Sequence, residues 1–138
     1  MRVHARVHRR VAWGLGIAAW ATMWLLGACA APSSGFHADA VRAVHLSDFE
    51  STEPQRCTPA DVPGRHADAA AFFRRAKPVD AKTLHDHYEH APCAALGVLQ
   101  YQGQTCTWRI TAAWVGAVRC DGHEWLLVCD DCENLIGR

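Results

Sequence analysis

Seven cysteines and nine histidines stand in 138 residues, and they are the side chains with the most chemistry to offer. Six of the cysteines (Cys57, Cys93, Cys106, Cys120, Cys129 and Cys132) lie in the second part of the chain, well apart from Cys29. An even set in a small exported domain reads as a disulfide framework. Six cysteines allow 15 pairings, and spacing alone selects none. Cys129-Asp130-Asp131-Cys132 also has the spacing of a dithiol redox motif. That chemistry needs a thiolate stabilised by positive charge or a helix N-terminus, and two aspartates between the sulfurs oppose it. The same pair has the spacing of half a tetrahedral zinc site, which Cys93 or a histidine would have to complete. No second C-x-x-C is present. A domain without cofactor is therefore the expectation, with structural zinc as the alternative use of Cys129 and Cys132.

His85-Asp86-His87-Tyr88-Glu89-His90 is the densest run of metal-capable side chains. On a helix, His85 and Glu89, and Asp86 and His90, would be neighbours four residues apart. His85, His87 and His90 are thus weak metal candidates, set against the plainer reading of a solvated helix end. Ser33, Ser34, Ser47 and Ser51 stand in no G-x-S-x-G turn, and no glycine-rich phosphate loop is present. No nucleophile, base and oxyanion donor can be assembled from these motifs, so binding is expected in place of catalysis.

The elements that must position these residues begin after a separate leader. Arg2, Arg6, Arg9 and Arg10 precede an uncharged, apolar-rich stretch from Val11 to Ala28, the order of a secretory signal. The stretch ends on Leu26-Gly27-Ala28-Cys29, which resembles the lipobox of bacterial lipoproteins. The resemblance implies cleavage after Ala28 and diacylglyceryl transfer to Cys29. It also implies palmitate-type acyl chains holding the protein to the membrane, where several chains anchor stably and one would be marginal. Ala30 rather than Asp follows the cysteine, which by the same resemblance favours the outer membrane, facing the periplasm. Beyond the leader the charge is ten basic against 14 acidic residues, a net of −4. No basic stripe interleaved with aromatics occurs, so nucleic acid is not an expected partner.

Residues 29–40 read as the lipidated cysteine and a short tether, and residues 41–138 as one small domain. Val41 to Phe49 fits a strand or a short helix, and Glu50 to Arg65, with three prolines, reads as a loop. Asp68 to Lys77 is the clearest helix, with Asp68 as cap, Ala69, Phe72, Phe73 and Ala76 on one face, and Pro78 as its stop. Asp80 caps a second, short helix in which Ala81, Leu84 and Tyr88 align. From Cys93 the period becomes two. Asp121-Gly122 is a type I′ hairpin turn that sets Arg119 opposite Glu124 and Val118 opposite Trp125. The turn near Gly103 fits two registers. The expected fold is α+β: an antiparallel meander of about four strands, stapled by disulfides, with one or two helices over its tryptophan face.

His85-Asp86, Pro92-Cys93 and Cys129-x-x-Cys132 together resemble a pattern in small uncharacterised proteobacterial proteins, which implies a single domain and no activity. The functional expectation is a lipid-anchored envelope protein that binds a protein partner, as an immunity or inhibitor lipoprotein does against an envelope-acting toxin or hydrolase. The alternatives are a structural or assembly lipoprotein of the envelope, or a metal binder built on the histidine cluster. The partner-binding candidates are Arg109, Arg119, Glu124, Leu126 and Val128, on the sheet face turned away from the tryptophans.

Overall fold

Alternation and turn chemistry build the last third of the chain into a continuous antiparallel meander. In the computed structural model, which describes residues 35–136, it comprises β3 (Cys93–Tyr101), β4 (Gln104–Thr111), β5 (Val115–Cys120) and β6 (His123–Val128). Asp121 (φ 40°) and Gly122 (φ 77°) form the expected left-handed pair, and Cys120 faces His123, Arg119 faces Glu124 and Val118 faces Trp125. Gln102 (φ 49°) and Gly103 (φ 81°) do the same at the β3–β4 turn, which selects the register Tyr101 opposite Gln104.

The sheet has six strands, not about four, in the order β1-β3-β4-β5-β6-β2 with every pair antiparallel. The two additional strands are its edges. Strand β1 (Val41–Ser51) pairs with β3, but register shifts after Arg42 and after Leu46 interrupt its alternation, and Ala43 sits at φ 47°. The burial rhythm therefore matches neither a strand nor a helix, and Glu50 and Ser51 belong to β1 and not to a loop. Strand β2 (Lys77–Val79) has only three residues and carries Pro78, which an edge strand tolerates.

Helix α1 (His66–Arg75) starts two residues before the expected cap. Arg65 occupies the capping position without a side-chain cap, and its guanidinium instead grips Asp68 through Nε–Oδ2 (2.9 Å) and Nη2–Oδ1 (2.8 Å). The helix stops at Arg75 because the residue before Pro78 is driven to extended geometry. Its expected apolar face is correct: Ala69, Phe72 and Phe73 are fully buried against the sheet. Helix α2 (Ala81–His87) is capped by Asp80, whose Oδ1 accepts from the Thr83 N–H at 2.7 Å.

The core lies between α1 and the sheet face bearing Leu99, Tyr101, Cys106, Trp108, Ile110, Val118 and Leu127. Two glycines let the aromatic rings approach the backbone. A Cβ on Gly116 would lie 2.6 Å from the Phe72 ring, and one on Gly97 would lie 1.9 Å from the His45 carbonyl oxygen and 2.5 Å from the Trp108 ring. Trp108 Nε1 donates to the Val98 carbonyl at 2.9 Å, so its polar atom is satisfied inside the core. The domain also begins earlier than residue 41. Phe36 is buried and stacks on Tyr101 at 5.1 Å, and the His37 N–H donates to the Tyr101 hydroxyl oxygen at 3.0 Å. Residues 36–40 thus belong to the domain and not to a tether. The expected signal segment and Cys29 lie outside the described residues.

All six later cysteines form disulfides: Cys57–Cys93, Cys106–Cys120 and Cys129–Cys132. The first ties the loop after β1 to the start of β3, and the second staples neighbouring strands β4 and β5. The third closes the turn after β6.

Candidate partner-binding surface

The face of the sheet turned away from α1 is set by register. Leu96, Arg109, Ala117 and Leu126 form one row across β3 to β6, and Val98, Thr107, Arg119 and Glu124 form the next. Among the described residues Val98, at 36% exposure, is the most open large apolar side chain; Leu96 on the same strand, and Ala117 and Leu126 two and three strands away, are half-buried. Two ion pairs lie on this face. Arg119 Nη2 meets Glu124 Oε1 at 2.7 Å across the β5–β6 hairpin, as its cross-strand position anticipates. Arg109 Nε meets Glu50 Oε1 at 2.7 Å, reaching from β4 to β1. Both pairs are solvated enough that each is worth at most about 1 kcal/mol, so they place charge more than they hold the fold.

One end of the same face is covered. Leu84 and Tyr88, from α2 and the residue after it, share a cleft of about 230 Å³ with Val115, Ala117 and Leu126. Tyr88 is held there because its hydroxyl donates to Asp130 Oδ1 at 3.1 Å, while Asp130 Oδ2 pairs with Lys77. These two partners hold the Asp130 carboxyl below its ordinary range, the Lys77 hydrogen bond more than that of Tyr88. Burial corrects one candidate. Val128 lies on this face, opposite Val115, but is 0% exposed, so it offers a partner nothing. Alternation identifies its face and not whether a helix lies over that face. Arg109, Arg119, Glu124 and Leu126 retain some exposure on the same face as Val98, on the three strands that follow it in the sheet.

The histidine cluster does not converge. His85, Asp86, His87, Glu89 and His90 are exposed, and α2 ends at His87, so the four-residue pairs expected on one helix do not form. Asp86 pairs with Lys82 instead. Among the described residues, the one group of three or more metal-capable side chains with converging ligand atoms is Cys129, Asp131 and Cys132. Both of its sulfurs are in the disulfide, and a disulfide sulfur is not the thiolate that zinc requires. The bridged pair therefore does not fit a zinc site.

Sequence reasoning missed the Arg109–Glu50 pair, which spans 59 positions and has no local signal, and the Tyr88–Asp130–Lys77 cluster. No protein-family model, curated protein or solved structure matches this chain. Among the described residues, no helix is long and apolar enough to cross a membrane.

Proposed function

We propose that this chain is an envelope lipoprotein, anchored through Cys29, that binds a protein partner on the outer sheet face and neutralises it in the manner of an immunity or inhibitor lipoprotein. The observation that carries the binding reading is the state of the sheet's surfaces. The core face is closed by α1, β2 is a short proline-bearing edge, and β1 is bulged. What stays open is a mixed face: Leu96 and the exposed Val98 on β3, Thr107 and Arg109 on β4, then Arg119 and Glu124 with half-buried Ala117 and Leu126 on β5 and β6. Taken as a whole, a protein interface mixes apolar, polar and charged side chains, as this face does. Three disulfides in a small domain hold that face rigid before binding, which lowers the ordering cost of association. The lipobox resemblance at Leu26 to Cys29 supports the anchor, and the inhibitor role rests on architecture and address.

Cells lacking the protein should become sensitive to one secreted lytic enzyme or toxin, and the wild-type chain should restore resistance where Val98→Asp does not. Equal resistance with and without the protein, or full rescue by Val98→Asp, contradicts the proposal.

A further inference from the structure

Strand β1 lies at an edge of the sheet, so along its outer side its backbone groups have no neighbouring strand. Such an edge invites pairing unless something guards it. At the second irregularity of β1 the guard is a side chain: the Leu46 N–H donates to His66 Nδ1 at 2.9 Å. His66 is the first residue of α1, so this one bond fastens the start of the helix to the strand edge. The His45 ring stacks on His66 with centroids 4.4 Å apart and planes 26° from parallel.

We propose that His66 is a proton-operated latch that pins the first residue of α1 to strand β1 and breaks that one bond on acidification, while the rest of α1 stays packed on the core. An imidazole nitrogen accepts a hydrogen bond only when it carries no proton, so the latch requires neutral His66 with its proton on Nε2. Protonation turns Nδ1 into a donor facing another donor. The new charge also sits at the N-terminal end of α1, where the helix dipole disfavours a cation, and against the face of the His45 ring.

The surrounding charged groups are already committed. Arg65 and Asp68 grip each other, Asp48 accepts from the Phe49 N–H, Asp61 accepts from Thr58, and Glu50 pairs with Arg109. Strand β3, which pairs with β1, contains no Asp, Glu, Lys, Arg or His. Release leaves the Leu46 N–H as an open donor on the strand edge. The latch depends on neither the partner nor the lipid anchor.

The test is amide hydrogen exchange on the full chain in detergent at about pH 7.5 and about pH 5, the range in which imidazoles change charge. Each rate is divided by the intrinsic rate at that pH. Protection of Leu46 should fall about fivefold, the factor that one lost neutral hydrogen bond carries, with a midpoint that tracks the His66 ring. Phe72 and Phe73, in the middle of α1, should keep their protection. In His66→Gln the amide oxygen accepts without titrating, so the pH response of Leu46 should vanish. Unchanged Leu46 protection while the His66 ring titrates overturns the latch, as does the same fall in His66→Gln. The tautomer of the wild-type ring, read by nitrogen NMR, is an independent check: a neutral His66 protonated on Nδ1 also overturns the latch.

Discussion

Removing the three disulfides one at a time should cost stability in the order of the loops they close. The bridges span sequence separations of 36 (Cys57–Cys93), 14 (Cys106–Cys120) and 3 (Cys129–Cys132). If each acts by restricting the unfolded chain, loop-closure entropy assigns them about 4, about 3 and about 2 kcal/mol. Replacing each pair by alanines also leaves small voids. All six cysteines are buried to a similar degree, so that contribution is close to common and the ranking survives it. For a domain of this size, the spread of about 2 kcal/mol between first and third corresponds to roughly 10 °C in Tm. Urea denaturation of the three double-alanine variants measures the order. The slope against denaturant should rise most for the Cys57/Cys93 variant, whose unfolded chain gains the most freedom. If the Cys129/Cys132 variant is instead the least stable, the bridges act through native packing and the entropic account is wrong.

Other expectations follow from single contacts. Gly116→Ala presses a methyl into the Phe72 ring and should cost about 1–3 kcal/mol, and Gly97→Ala, which meets the His45 backbone oxygen, should cost more; denaturation midpoints check both. Asp130 has a lowered carboxyl pKa, so its ion pair with Lys77 stabilises the fold above the ordinary aspartate value of 3.8, and that stability is lost as pH falls through the lower folded value. Asp130→Asn should remove this part of the acid dependence, read from denaturation midpoints across the acid range. Cys29→Ser should leave the longer precursor uncleaved and without lipid, as seen by mass spectrometry of membrane fractions.

Within the meander from Cys93 to Val128, the alternation of β4 and the Asp121-Gly122 turn were legible, whereas the turn at Gly103 fitted two registers and the backbone selects Gln102-Gly103 as its central pair. The Phe72–Phe73 face of α1 and the Asp80 cap were legible for the same local reasons. Strand β1 was not, since two register shifts break its period, and β2 is too short to show any period. The cysteine pairing depends on which strands become neighbours, and six sulfurs carry no such label. The surface candidates were placed on the correct face by alternation, which located Arg119 opposite Glu124. Val128 escaped because strand periodicity gives a residue's face and not whether other parts of the chain cover it, and Val128 is fully buried. The His66 bond to Leu46 crosses 20 positions and was equally silent.

The central claim is that the outer sheet face meets a protein. Site-specific photo-crosslinking in cells tests it most directly, with the photoreactive residue placed in turn at Val98, at Thr107, and at Arg74 on the solvent side of α1. A single discrete adduct from positions 98 and 107, absent from position 74 and lost when Leu126→Asp is added, is the predicted result. An adduct from position 74 alone, or the same adduct from all three positions, would contradict it.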